Sequence, residues 1–260
     1  MELEFFIKDR LKKKPILLMT HLVLGYPSLK KCYRLIETMV RAGVDIIELQ
    51  IPFSEPVADG PVIAMANQKA LEQGITLKDC LDFAGSVAGS FDIPFLFMTY
   101  CNIPFTFGTH NFVKTMAEKG LKGAIIPDLP PEEGKEYLSA MKKQNLSPVL
   151  IFSPTTPLDR MQFLGKHGSG FIYCVARKGV TGKQTSFSRQ FEQYIGMCRE
   201  ATTLPLAVGF GLKEKQDVDF LCGKADIAVI GSHILQTMEE KGIDCVGEFI
   251  EGLTDRTFKG

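Results

Sequence analysis

The 260-residue chain carries no excess of charge of either sign, since thirty basic side chains balance thirty acidic ones. Proteins that bind nucleic acid or an anionic membrane surface usually present a basic excess. The run of three lysines at 12–14 is short and is typical of a solvated helix end. The charge balance therefore gives no support to either kind of partner.

Long apolar runs are also missing. No stretch approaches the roughly 18–20 apolar residues that cross a bilayer. The first six residues, MELEFF, are acidic and amphipathic, which is not the pattern of a secretory signal. We therefore expect neither a membrane span nor a secretory signal.

Cysteine pairs with metal or redox spacing are absent. The seven cysteines are odd in number, none belongs to a C-x-x-C pair, and several lie in apolar runs. This usage is typical of reduced, buried thiols, so we expect a cytoplasmic protein. The cysteines are Cys32, Cys80, Cys101, Cys174, Cys198, Cys222 and Cys245.

Several catalytic motifs are missing as well. His21, His110, His167 and His233 are isolated, and no second histidine or cysteine lies at ligand spacing, so a metal site has little support. We expect His21 to be a hydrogen-bonded structural residue at a strand end and His233 to face outward, with a place near a phosphate as the alternative for His233. A G-x-x-x-x-G-K-[ST] loop and a G-x-S-x-G elbow are absent, which argues against a nucleoside triphosphatase and against a hydrolase with such an elbow.

What the chain does have is eight short apolar runs that alternate with amphipathic segments. Nearly continuous apolar strands, rather than alternating ones, indicate burial on both faces and parallel pairing. The predicted strands are 16–20, 45–49, 95–99, 123–127, 148–152, 170–175, 206–210 and 227–231.

Helical spacing fills the intervals between these strands. One pattern runs from Tyr33 to a stop at Gly43, a second stops at Gly120, and a third is predicted to begin in the acidic turn Glu132–Glu133. Eight strand–helix units without a linker predict one α/β domain over residues 1–260, a (β/α)8 TIM barrel with an extra N-terminal helix at about 1–14 that caps its floor. A doubly wound open sheet remains the alternative, because strand order is not visible in a sequence.

Two carboxylates flank the end of the second predicted strand. Glu48 stands in apolar sequence where the strand meets a loop rich in proline, and Asp59 follows in that loop. Burying an unpaired carboxylate is costly, which makes Glu48 a candidate general acid/base. The alternative interpretation is that Glu48 only ends the strand and points into water.

Glycine-bearing turns follow the last three predicted strands. They are Gly179–Gly182, Gly209–Gly211 and Gly231–Ser232. Glycine lets backbone N–H groups approach a ligand closely, and a helix start adds a positive dipole. Barrels of this kind often bind phosphate in the loops after strands seven and eight, so the layout favours a substrate that carries phosphate.

The motifs together resemble the tryptophan synthase alpha chain family. The signature segments are Ile47–Leu49, Pro52–Ser54 and Ala58–Pro61, and the resemblance continues along nearly the whole chain. Further matching segments are Gly25–Pro27, Met98–Tyr100, Asn102, Pro127–Pro130, Thr155–Pro157, Arg177, Gly179–Gly182, Gly209–Gly211 and Gly231–Ser232.

The resemblance implies a (β/α)8 barrel that cleaves indole-3-glycerol phosphate to indole and glyceraldehyde 3-phosphate in tryptophan biosynthesis, without metal or organic cofactor. It implies that Glu48 is the general acid/base and that Asp59 accepts a hydrogen bond from the indole N–H. It further implies an αββα heterotetramer with an allosterically coupled beta chain that docks on the barrel mouth and receives the indole. The implied substrate-binding residues are Tyr100, Tyr173, Thr181, Gly182, Phe210, Gly211, Gly231 and Ser232.

Three positions depart from the family pattern. Gln50 stands where glycine is usual, Glu55 replaces aspartate, and Ala176 replaces serine. Side chains on a strand alternate, so Gln50 is predicted to share the face of Glu48, where it would crowd the indole or hydrogen-bond Glu48. We therefore predict weak or absent lyase activity, unless Gln50 swings aside. Two alternatives stay open: a silent chain that activates the beta chain, and another sugar-phosphate isomerase or epimerase.

Overall fold

A computed structural model describes residues 2–175, 189–209 and 211–253. Eight parallel strands close into a barrel in chain order, and the first pairs with both the second and the eighth. The predicted barrel is confirmed, and the open sheet is wrong. The strands are β1 Leu17–Val23, β2 Ile46–Gln50, β3 Phe95–Met98, β4 Gly123–Ile125, β5 Ser147–Phe152, β6 Ile172–Val175, β7 Leu206–Gly209 and β8 Ile227–Ile230.

Helices surround the barrel and fill the intervals between strands. Local signals fix several of their ends: the Ser28 side chain accepts from the Lys31 N–H before α2, and Thr76 and Asp79 form a reciprocal cap before α4. The helices are α1 Glu2–Arg10, α2 Leu29–Arg41, α3 Pro61–Glu72, α4 Leu77–Ser90, α5 Asn102–Phe107, α6 Thr109–Glu118, α7 Lys135–Lys143, α8 Leu158–His167, α9 Arg189–Ala201, α10 Lys215–Leu221, α11 Ser232–Lys241 and α12 Ile243–Leu253. Within the described ranges, none is long and apolar enough to span a bilayer.

The barrel interior is packed with apolar side chains that alternate along each strand. Leu17 and Met19 of β1 and Ile46 of β2 belong to this interior cluster, whereas Ile47 belongs to the layer between strands and helices. Leu3 of α1 joins the interior cluster from below. The expectation that the N-terminal helix closes the floor is confirmed, and helix α1 ends at Arg10.

Several predicted boundaries differ from the structure, and two of the differences change the interpretation of a residue. β1 continues to Val23 rather than stopping at Thr20, so His21 lies within the strand and not at its end. α7 begins at Lys135, and Glu132 lies in the turn before it, where it pairs with Arg160 of α8. The Glu132–Glu133 pair was predicted to form the first turn of the helix. Glu132 instead forms an ion pair with a neighbouring helix.

All seven cysteines are free thiols. Cys32, Cys80, Cys174 and Cys198 are buried, and burial raises the pKa of Cys32 and of Cys80 to about 12. A thiol that stays protonated at neutral pH is a poor nucleophile, so these two cysteines are packing residues.

Candidate active site

The carboxyl ends of the strands surround a cavity of about 290 Å³. A larger cavity of about 450 Å³ lies outside the barrel, between the loop after β2 and helix α5, but none of its lining residues is charged. The smaller cavity lies at the strand ends and holds the buried titratable side chains of His21 and Glu48, so it is the candidate active site. Its polar and glycine lining comprises His21, Glu48, Asp59, Gly60, Tyr173, Gly209, Gly211, Lys213, Gly231, Ser232, His233 and Gln236.

Glu48 points into this cavity from β2 and is only 3% exposed. Its inward direction follows from alternation, since Ile46 faces the barrel interior and Ile47 faces the helices. The alternative that Glu48 points into water is wrong. Its Oε1 lies 3.2 Å from Nδ1 of His21, while its Oε2 has no hydrogen-bond partner in the described part of the chain.

Asp59 reaches the same cavity from the loop between β2 and α3. Its Oδ2 accepts hydrogen bonds from Nε2 of Gln50 at 2.6 Å and from the Tyr100 hydroxyl at 3.1 Å. Burial raises the pKa of Asp59, against the lowering effect of nearby His21 and of these two donors. The two carboxylates predicted from the sequence therefore line one cavity, each with its own hydrogen-bonding partner.

Tyr100 supports the Asp59 loop from behind. It is fully buried, stacks on Phe53 with ring centroids 5.1 Å apart, and its hydroxyl also accepts from the Ala58 N–H at 3.1 Å. It was expected to line the pocket, but the structure places it against Asp59 instead of among the residues that line the cavity. Its contact with a substrate would therefore be made through Asp59.

His21 is one site residue that the sequence interpretation missed. It faces Glu48 directly in the register of β1 and β2, and it is 7% exposed. Burial alone lowers the pKa of His21, but the charge of Glu48 and its hydrogen bond, with help from Asp59, outweigh burial and raise it overall. The signal was available: His21 lies two residues after the inward-facing Met19, so a longer β1 would have turned it inward.

Gln50 is fully buried beside the two carboxylates and is absent from the cavity lining. Its amide nitrogen donates to Asp59 and, at 3.3 Å, to Oδ1 of Asn67, which also accepts from the Phe53 N–H at 3.0 Å. The expected hydrogen bond from Gln50 to Glu48 is not formed, because the amide nitrogen points at Asp59. Asn67, a second residue that the sequence interpretation missed, links Gln50 to the loop.

Glycine turns after β7 and β8 and the start of a helix also line the cavity. Gly211 has φ +67°, and Gly231 precedes α11, whose first residue is Ser232. Unpaired N–H groups at such a helix start suit an anion. Gly209 is required by Tyr173, because a Cβ at position 209 would lie 2.8 Å from the Tyr173 hydroxyl.

His233 lies at this same end of the cavity, so the expectation that it faces outward is wrong. Its ring packs edge-on against Phe249 at 4.7 Å, and burial together with nearby Lys213 lowers the pKa of His233. Four of the predicted or divergent site residues, Thr181, Gly182, Phe210 and Ala176, lie outside the described residues.

The fold and this cavity together define a class of protein. A closed parallel barrel whose mouth holds buried acid–base groups together with glycine turns and a helix start is typical of enzymes that act on phosphorylated small molecules. The groups at the mouth come from β1, β2, β6, β7 and the start of α11, which is the usual origin of catalytic side chains in this fold.

The chain belongs to the tryptophan synthase alpha chain family, whose sequence model matches residues 7–251. Tryptophan synthase alpha chains of Desulforapulum autotrophicum and Syntrophotalea carbinolica are 57% and 56% identical to it, each over 96% of this chain and 99% of the relative. The aminoacrylate-bound crystal structure of tryptophan synthase from M. tuberculosis is 25% identical with a TM-score of 0.87, over 96% of this chain and 97% of that one.

Members of this family are lyases that cleave indole-3-glycerol phosphate, and they form a complex with a beta chain. The resemblance predicted from the motifs is confirmed. Membership also decides against the sugar-phosphate isomerase or epimerase that the sequence had left open.

Proposed function

We propose that this chain cleaves indole-3-glycerol phosphate with Glu48 and Asp59 as the working pair. The observation that carries the proposal is their convergence on one cavity, which the start of α11 also lines. A substrate that carries both an indole and a phosphate fits such a cavity. The indole would lie between the carboxylates, and the phosphate would lie on the N–H groups of Gly211, Gly231 and Ser232.

The retro-aldol cleavage needs two proton movements and no net proton. Glu48 in its acid form protonates C3 of the indole, and the resulting carboxylate then takes the proton of the glycerol hydroxyl next to the bond. The carbon–carbon bond breaks as that hydroxyl becomes the aldehyde, and its electron pair neutralises the indolenine nitrogen. The free Oε2 of Glu48 is the oxygen available for this exchange.

Asp59 would act on the other side of the indole. Its carboxylate accepts the indole N–H and stabilises the positive charge that develops on that nitrogen. Gln50 and Tyr100 occupy Oδ2 of Asp59, which leaves Oδ1 for the substrate. The ionised form required here is favoured by both donors, although burial opposes it.

The beta chain would dock over the barrel mouth in an αββα assembly and receive the indole. Two apolar side chains near the mouth support this surface, since Val57 and Phe105 are 81% and 75% exposed. They lie in the loop after β2 and in α5, both of which follow the carboxyl ends of strands. We place the complex in the cytoplasm, for which the seven free thiols give support.

A weak or silent alpha chain that mainly activates the beta chain is the second candidate, and Gln50 is the observation that favours it. The impairment of cleavage by Gln50 stays a prediction. The structure changes the residue through which it would act: the Gln50 amide donates to Oδ2 of Asp59 at 2.6 Å and does not contact Glu48 through a hydrogen bond. A donor this close draws charge away from the carboxylate that must stabilise the indole nitrogen.

The test measures both reactions of the complex with its beta chain. The Glu48→Gln variant should lose cleavage of indole-3-glycerol phosphate while binding of the substrate survives. Native turnover within roughly 1–10³ per second would reject impairment. Native turnover far below that range, together with stimulation of the beta reaction that survives Glu48→Gln, would establish the second candidate. Full cleavage by Glu48→Gln would refute the proposed role of the pair.

A further inference from the structure

His21 and Glu48 form a buried pair inside the barrel. The two residues face each other across β1 and β2, and their side chains are 9% and 4% exposed. Nδ1 of His21 lies 3.2 Å from Oε1 of Glu48. The register of two adjacent strands therefore sets the position of one group against the other, with no flexible loop between them.

Each member of the pair keeps one polar atom without a partner in the described part of the chain. These atoms are Nε2 of His21 and Oε2 of Glu48, and both are buried. A buried polar atom without a partner is costly, and such atoms in a cavity are typical of a site that completes its hydrogen bonds with a ligand. The pair thus presents one engaged and one available atom on each side chain.

A surface pair of the same composition shows what is special about this one. Nδ1 of His110 lies 2.7 Å from Oε1 of Glu136, but the two side chains are 59% and 62% exposed. Water screens that pair and holds neither group in one orientation. Only the pair inside the barrel combines the contact with burial, so only there does the imidazole fix the direction of a carboxylate.

We propose that His21 is a positioning residue for the cleavage reaction: its Nδ1–H holds Oε1 of Glu48, so that Oε2 faces the substrate. The inference rests on the proposed role of Glu48 and adds a residue to it. His21 donates a hydrogen bond throughout and transfers no proton, so the proton balance of the reaction is unchanged. Its contribution is the orientation of the Glu48 side chain.

Several other charged or titratable groups face this pair. Asp59 approaches from the loop after β2, Tyr173 from β6, Lys213 from the turn after β7 and His233 from the start of α11. Asp59 adds negative charge beside His21 and favours its protonated form, whereas burial opposes it. The state of the pair therefore depends on Glu48 first and on Asp59 second.

Two substitutions at His21 separate positioning from packing. His21→Phe keeps a ring of similar size and removes the donor, while His21→Asn keeps a donor and removes the titration. With the beta chain present, we expect His21→Phe to lower kcat by roughly tenfold to a hundredfold with little change in KM. His21→Asn should recover most of that loss.

The matched control is His110→Phe, which breaks the exposed pair and should leave kcat unchanged. In the Glu48→Gln background, His21→Phe should produce no further loss, because its effect passes through Glu48. A histidine NMR titration provides a readout that does not need turnover: the His21 resonance should titrate at lower pH in Glu48→Gln than in the native protein.

The outcomes distinguish the two proposals. Full turnover by Glu48→Gln would overturn the proposed function. Loss of turnover by Glu48→Gln, together with a native kcat in His21→Phe, would overturn the role of His21 alone. A rise in KM without a fall in kcat, or a titration of His21 that ignores Glu48→Gln, would also overturn it.

Discussion

Two buried carboxylates, one just before the second strand and one within it, have opposite surroundings. Asp45, just before β2, is 1% exposed, and Glu48, within the strand, is 3% exposed. Asp45 is fully engaged: Lys14 donates to Oδ1 at 2.7 Å and the Leu18 N–H donates to Oδ2 at 3.0 Å. Glu48 has His21 on one oxygen and no described partner on the other.

The two carboxylates are about equally buried but differ in how many of their oxygens have partners. That difference distinguishes a structural carboxylate from one available for catalysis. Asp45 gains enough contacts to offset its desolvation, so it ties the lower end of the barrel together. Glu48 is left incomplete, and a group that lacks a partner in the free protein is one that a substrate can complete. Burial alone does not mark a catalytic carboxylate, whereas burial with an open oxygen in a cavity does.

The largest expected effect is on the rate of the Glu48→Gln variant. Loss of a general acid/base costs roughly 10²–10⁴-fold in rate, so kcat should fall by about a thousandfold. The free energy of unfolding should not fall, because the substitution replaces a buried carboxyl group of which only one oxygen has a partner. Steady-state kinetics and chemical denaturation measure the two quantities, and a large loss of stability would place Glu48 in the same category as Asp45.

The reverse pattern is expected for Asp45→Ala. Removing one partner of a buried ion pair leaves Lys14 uncompensated, so the free energy of unfolding should fall by about 3 kcal/mol. The kcat of the folded variant should stay native. Asp9→Ala is the control, because its pair with Lys12 at 3.0 Å is exposed and its loss should not be measurable in denaturation.

Gln50→Gly tests the surroundings of the active-site carboxylates, which Gln50 contacts through Asp59. If the amide restrains Asp59 as predicted, its removal should raise kcat by about tenfold, because Asp59 then regains its full charge for the indole nitrogen. Gln50→Ala removes the same amide and keeps the Cβ, so it distinguishes the effect of the amide from that of a flexible strand. An unchanged or lower kcat in both variants would contradict the predicted impairment.

The smallest expected effect is a pH dependence of stability that depends on His21. The pKa of His21 is raised in the folded protein, so between its ordinary value of about 6.5 and the raised value the folded state binds more protons. The stabilisation is complete below about pH 6.5 and is lost as pH rises through the folded-state value. The difference in unfolding free energy between the native protein and His21→Phe should therefore shrink with rising pH, and a difference that grows would contradict it.

The architecture was predictable because it depends on repetition. Eight buried apolar runs separated by helical spacing leave few arrangements other than a parallel barrel, and glycine stops such as Gly43 and Gly120 fixed helix ends. The end of β1 was not predictable in this way. The sequence from Met19 to Leu24 is apolar apart from Thr20 and His21, and those two polar residues resemble a strand end although the strand runs through them.

The site was predictable where the chain itself brings residues close. Glu48 and Asp59 are near in sequence, so their common cavity follows from one strand and one loop. The partners of both carboxylates depend on tertiary register: His21 meets Glu48 across two strands, and Asn67 meets Gln50 from helix α3. The direction of the Gln50 amide was likewise undetermined, because alternation fixes the face of a side chain and not its terminal torsion.

Within the part of the chain that the structure describes, helix α1 closes the lower end of the barrel. Leu3 and Ile7 are 1% and 0% exposed and seat against the interior side chains of the lower end. An apolar product released above them has no downward route and must leave past the loops that follow the strands. A protein docked over those loops would therefore receive the product before it reaches bulk water.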